Sequence, residues 1–218
     1  MSKNLHDMAL AYHKEGMPGK IDVSSHKKLN NDQDLSLAYS PGVAAPVREI
    51  VKDPSNVNQY TIKGNLVAVI TDGSAVLGLG NVGPLAAKPV MEGKAVLFKY
   101  FADINAFNIE LDTQDVDEIV KTVKNIAPTF GGINLEDISA PRCFEIEERL
   151  IEELDIPVFH DDQHGTAIIV AAGLLNALEI QGKSVTSAKI IVAGGGSAGI
   201  ATLDLLVRLW SAHCKSNC

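Results

Sequence analysis

Two pairs of adjacent carboxylates close short apolar runs. Glu136-Asp137 follows Gly131-Gly132-Ile133-Asn134-Leu135, and Asp161-Asp162 follows Ile156-Pro157-Val158-Phe159-His160. In open α/β sheets, sites form in the crevice outside the carboxyl ends of the strands. Two neighbouring strands that end this way would bring several hard oxygens to one place. An all-oxygen set of that kind selects Mg²⁺ or Mn²⁺ over Zn²⁺. Each pair also has an ordinary reading, because acids at helix starts cap free N–H groups and favour the helix dipole. The repetition at two strand ends favours the cation. His160 and His164 read as strand-end and helix-start residues and not as ligands.

Glycines carry a second chemistry. A β-branched run, Ala188 to Ala193, feeds Gly194-Gly195-Gly196-Ser197-Ala198-Gly199, and a helix is expected from Ile200 to Leu209. Gly194, Gly196 and Gly199 fit G-x-G-x-x-G between a strand and a helix, the setting in which a pyrophosphate approaches a helix N-terminus. Gly78, Gly80 and Gly83 fit the same spacing, but Thr71 to Leu77 separate them from their strand and Pro84 follows. They read as a loop over the crevice. The acid that would bind a ribose downstream of Gly199 is not reached before Cys218, so the chain reads as a truncated form of something longer. The stretch from Trp210 onward shows no periodicity.

The elements that must hold these groups alternate. Strands are expected at Leu66–Ile70, Ile104–Leu111, Gly131–Leu135, Ile156–Phe159 and Ala188–Ala193, and a strand-like run at Leu35–Val43 before the turn at Pro41-Gly42. Helices are expected at Met1–Gly16, Pro46–Lys52, Leu85–Tyr100, Gln114–Ile126, Arg142–Leu154 and Thr166–Leu178. Strands alternating with helices predict an α/β fold with a largely parallel sheet covered on both faces.

At 46% apolar and 21% charged residues, the 218-residue chain has the composition of a soluble globular protein and not of a disordered one. A net charge of -8 without Lys/Arg clusters argues against nucleic acid or an anionic membrane as partner. There is no signal-like apolar segment at Met1–Leu10 and no uncharged stretch long enough for a bilayer. Cys143, Cys214 and Cys218 have neither metal-ligand nor disulfide spacing. A cytoplasmic protein is expected.

Several runs in fixed order resemble the malic enzyme family in its short bacterial-type form. They are Ser36 to Val43, Thr71-Asp72-Gly73 with Leu77 to Asn81, Pro89 to Lys94, Asn134 to Ile138, and Phe159 to Thr166. The resemblance implies oxidative decarboxylation of (S)-malate to pyruvate and CO₂, with NAD as cofactor, NADP as the alternative, and Mg²⁺ or Mn²⁺. It implies Glu136, Asp137 and Asp162 as metal ligands, with Asp161 behind them. It makes Tyr39 the general acid and Lys94 the general base, although spacing alone would read Tyr39 as turn packing and Lys94 as a snorkelling lysine. Gly194, Gly195, Gly196, Ser197, Ala198 and Gly199 would hold the dinucleotide. The family also implies a homodimer, a substrate and metal domain over residues 1–160, and the start of a Rossmann-like domain over 161–218. The chain has about half the length expected of the family, so a catalytically incomplete remnant is the alternative. Another NAD-dependent dehydrogenase is a second alternative, against which the three carboxylates stand.

Overall fold

The computed structural model describes residues 3–216, with side chains over 4–210. The start of the first expected helix at Met1, and the side chains of Cys214 and Cys218, lie outside the described residues. The core is a sheet of four parallel strands: β1 (Leu66–Thr71), β2 (Asn105–Glu110), β3 (Gly132–Leu135) and β4 (Val158–His160), in the order β2-β1-β3-β4. The helices are α1 (Lys3–Lys14), α2 (Asp32–Ala38), α3 (Ala44–Lys52), α4 (Val57–Tyr60), α5 (Pro84–Ala102), α6 (Val116–Ile126), α7 (Arg142–Glu153), α8 (Asp161–Ile180) and α9 (Ser197–Ser216).

Alternation along the strands divides the side chains between the two faces. Ala68, Ile70, Ile133 and Leu135 turn to one side and pack with Ile119, Val120 and Val123 of α6 and Cys143, Ile146 and Leu150 of α7. Fully burying each Ile or Leu here contributes roughly 1.5–3 kcal/mol. Helix α5 packs on β1 and β2 and presents Ala87, Met91 and Ala95, one turn apart and all buried.

The chain passes from β1 to β2 on one side and then returns to the other side of β1 for β3. The strand order therefore reverses between β1 and β3, and the crevice that such a reversal opens lies at their carboxyl ends.

Two of the expected strands are not strands. Residues 35–38 belong to helix α2: the Asn31 side chain accepts the Asp34 N–H, and Asp32 and Asp34 stand in the first turn, so capping overrides the β-like composition. Residues 188–193 are irregular, with Ile191 94% exposed, because among the described residues no strand lies alongside to complete a ladder. Ile190 to Ala193 line an open cavity together with Val170 and Leu174 of α8 and Thr202 and Leu206 of α9. The helix expected to end at Leu209 runs on into the stretch from Trp210, as α9 continues to Ser216. Among the described residues, no helix is long and apolar enough to cross a membrane.

Candidate functional site

The acids at the ends of β3 and β4 meet. One carboxylate oxygen from each of Glu136, Asp137 and Asp162 lies within 4.8 Å of the others. Glu136 and Asp137 are buried, and Asp162 is partly buried. None of these groups is occupied with capping. The N-cap of α8, His160, makes no side-chain cap bond, and Asp162 Oδ2 accepts the Asp137 N–H across the crevice at 2.8 Å. Glu136 Oε2 accepts from Asn134 Nδ2 at 2.9 Å, two residues back on the same face of β3. Glu136 Oε1 faces Lys94 Nζ at 3.0 Å.

Lys94 comes from α5, three residues after buried Met91, and also pairs with Asp161 Oδ2 at 2.6 Å. Asp161 can fold back toward it because position 165, one turn on, is glycine: a Cβ there would stand 2.3 Å from Asp161 Oδ1.

Burial sets the electrostatics. It pushes the Glu136 carboxyl up to about 7 against the attraction of Lys94, with Asp162 and Asp161 adding to the rise. Asp137 is pushed up to about 6 by burial and by Asp162. Burial opposes charge on Lys94, but the bonds and charges of Asp161 and Glu136 outweigh it and hold the ammonium above its ordinary pKa.

The residues fit a hard divalent cation on two counts. The donors are all oxygen, and Asp137 Oδ2 is buried with no hydrogen-bond partner, the type of orphan that needs an explanation such as an ion. Asp137 also adopts a left-handed backbone, φ 55°, at a cost of about 1–3 kcal/mol for a non-glycine residue. His160 lies beside these carboxylates. It is fully buried, its Nε2 is 3.4 Å from Asp162 Oδ2, and burial lowers its pKa.

The glycine loop leads directly into the N-terminus of α9. Cβ atoms at Gly194, Gly195 and Gly196 would meet nothing within 4 Å, which leaves this side open to a ligand. Gly194 has φ 103°, and a Cβ at Gly199 would come within 3.0 Å of Gly194 O. The first glycine thus serves the turn and the third the close packing of loop on helix. Ser197 and Ala198 begin the helix.

Tyr39 is not in the carboxylate cluster. It follows α2, 72% exposed, and no hydrogen bond from its hydroxyl is present among the described residues. Sequence reasoning missed a neighbouring network. Asp72, at the end of β1, is buried and paired with Arg142 at 2.8 Å. Buried Glu147 accepts from the His160 N–H, Gln163 Nε2 and His164 Nε2. A signal for Asp72 was present, since Thr71-Asp72 closes its strand on an acid as the other two strands do.

Residues 18–151 match the family model described as the malic enzyme N-terminal domain. The chain belongs to the malic enzyme family. Residues 163–217 match the family's NAD binding domain. The chain is 62% identical over 199 residues to an NADP-dependent malic enzyme of Halomonas elongata, covering 91% of this chain and 47% of the relative. It is 61% identical over 203 residues to a bifunctional malic/malolactic enzyme of Bacillus subtilis, covering 93% of this chain and 49% of that protein. Among solved structures, a malic enzyme from Pyrococcus horikoshii superposes with a TM-score of 0.91 at 56% identity, covering 94% of this chain and 48% of that one. The NAD-dependent malic enzyme of Thermotoga maritima gives 0.87 at 48% identity, covering 96% and 54%. The chain thus spans about half the length of these two relatives.

Proposed function

We propose that this chain carries the metal and acid/base centre, and the start of the dinucleotide site, of an enzyme that oxidises (S)-malate and decarboxylates it to pyruvate and CO₂. The observation that carries this reading is the convergence of Glu136, Asp137 and Asp162 beside Lys94 at the strand-order reversal. The three carboxylates would hold Mg²⁺ or Mn²⁺, which when bound supplies Lewis-acid polarisation of the substrate's hydroxyl and carboxylate and takes up charge from Glu136. With Glu136 bound to the metal, Lys94 would lose one of the two anionic partners that keep it protonated, and as the neutral amine it would accept the hydroxyl proton. Asp161 keeps the Lys94 amine turned into the crevice. Tyr39 is assigned the protonation of the enol carbon that follows CO₂ loss. It lies on a segment that must be covered for that role.

The loop from Gly194 to Gly199, with Gly195, Gly196, Ser197 and Ala198, would seat the pyrophosphate of NAD, or of NADP, at the α9 N-terminus. The bound dinucleotide supplies the hydride acceptor. We place the boundary between the two domains at 160/161, where α8 leaves β4 and packs chiefly on α9. The protein is proposed to be cytoplasmic and homodimeric. The dimer is supported by exposed apolar residues along the N-terminal helices, among them Met8, Tyr12, Leu37 and Val51.

The test is malate-dependent reduction of the nicotinamide, followed by absorbance, with pyruvate assayed in parallel. Mn²⁺-dependent formation of both, lost in Lys94→Met, is expected. Reduced cofactor with oxaloacetate in place of pyruvate would contradict decarboxylation, and pyruvate formation that survives removal of Mn²⁺ would contradict the metal assignment.

A further inference from the structure

We infer that Arg142 is a positioning residue for the metal centre, acting through the backbone of Asp137; this rests on the metal reading above. Arg142 opens α7 and touches none of the three proposed ligands. Its guanidinium nevertheless ties together the three loops that rim the crevice. Nη1 donates to Asp72 Oδ2 and to Gln114 O, both at 2.8 Å, and Nη2 donates to Ser74 Oγ at 3.0 Å and Ser139 Oγ at 2.8 Å. These acceptors lie after β1, before α6 and after β3.

The loop after β1, held in this way, grips the strained residue. Asp72 Oδ1 fixes Ser74 through its N–H at 2.9 Å and its hydroxyl at 2.5 Å. Ser74 Oγ in turn accepts the Ser139 N–H at 2.9 Å, and the Ala75 N–H donates to Asp137 O at 2.9 Å. The segment 137–139 is therefore stapled on both sides of Ile138, itself only 2% exposed. The left-handed conformation of Asp137 persists because its surroundings over-determine it, and among the described residues Arg142 hydrogen-bonds to all three loops. A planar fork with five donors can hold four acceptors in a fixed pattern; an ammonium can hold the charge but not the pattern. Sequence position conceals the role, since Arg142 reads as an ordinary first-turn residue of a charged helix.

The experiment is Mn²⁺ titration of the 218-residue chain followed by electron paramagnetic resonance, in the parent protein, Arg142→Lys, the paired variant Arg142→Gln/Asp72→Asn, and Asp162→Asn. The paired variant removes both buried charges together, so that no carboxylate is stranded. Both Arg142 variants are expected to weaken Mn²⁺ binding about 10- to 100-fold, the range for groups that orient metal ligands, with cooperative melting of the metal-free protein retained. Ser139→Ala leaves both charges in place and gives a smaller loss by the same route; it decides the matter if neither charge variant folds. Combining the paired variant with Asp137→Asn separates positioning from general loosening. If Arg142 acts through Asp137 the two losses do not add, whereas fully additive losses overturn the proposal. Unchanged Mn²⁺ affinity in folded Arg142 variants also overturns it. Asp162→Asn that binds Mn²⁺ like the parent overturns the metal site instead, an outcome distinct from both.

Discussion

Glu136 makes the stability of the metal-free protein fall as pH rises. Its carboxyl is pushed up to about 7 in the fold from the ordinary 4.5, because burial penalises the charge more than Lys94 rewards it. The difference, 7 − 4.5, is 2.5 pH units, and at 1.36 kcal/mol per unit this amounts to on the order of 3 kcal/mol. A group with a raised folded pKa contributes its stability in full below the unfolded pKa and loses it as pH climbs through the folded one. The loss therefore runs from about pH 4.5 to just above 7. Asp137, pushed from 3.8 to about 6, adds in the same direction over a lower window, but the two share one field and their contributions do not sum. For a chain of this size, 3 kcal/mol corresponds to roughly 6–12 °C in Tm. The assay is thermal melting of chelator-treated protein between pH 5 and 8, in the parent and in Glu136→Gln. The parent should lose Tm across that range, the amide variant should lose much less, and saturating Mn²⁺ should remove most of the parent's loss by holding the carboxylates ionised. Metal-free stability that is flat or rising with pH, and unaltered by Glu136→Gln, would refute the burial argument.

Other outcomes follow from single contacts. Gly73→Ala forces a φ of 66° on a residue whose Cβ would stand 2.3 Å from Gly83 O; a loss of about 1–3 kcal/mol or more is expected, read as a lowered denaturant midpoint. Lys94→Gln removes the cation between Glu136 and Asp161 and should cut pyruvate formation by about 10²- to 10⁴-fold, measured as initial rate at saturating malate. Met8→Asp with Tyr12→Asp places charge on the exposed apolar face of α1, where these residues are 61% and 70% exposed; sedimentation velocity should shift from dimer to monomer.

The elements that were legible in the sequence are those whose signals are local. Acids closing two apolar runs and glycines opening a helix each report on a few neighbouring residues, and the fold keeps both signals. What was hidden depends on partners distant in sequence. Ala188 to Ala193 have strand composition, but a strand exists only beside another, and among the described residues none lies alongside, so Ile191 stays 94% exposed. Leu35 to Ala38 have no sheet to join, and the Asn31 cap decides for a helix. The upward shift of Lys94 comes from Asp161, 67 residues away, and Arg142 reaches Asp72, 70 residues away. Neither pairing leaves a mark in spacing.

Glu136, Asp137 and Asp162 are proposed to form one divalent-cation centre that receives malate. Its most direct test is calorimetric titration of Mn²⁺ into the chelator-treated chain at pH 8, with and without malate, in the parent and in Asp162→Asn. One site per chain is expected, tightened by malate and lost in Asp162→Asn, while Mn²⁺ raises the melting temperature of the parent alone. Equal binding by the parent and Asp162→Asn, or no binding by a folded parent, would contradict the assignment.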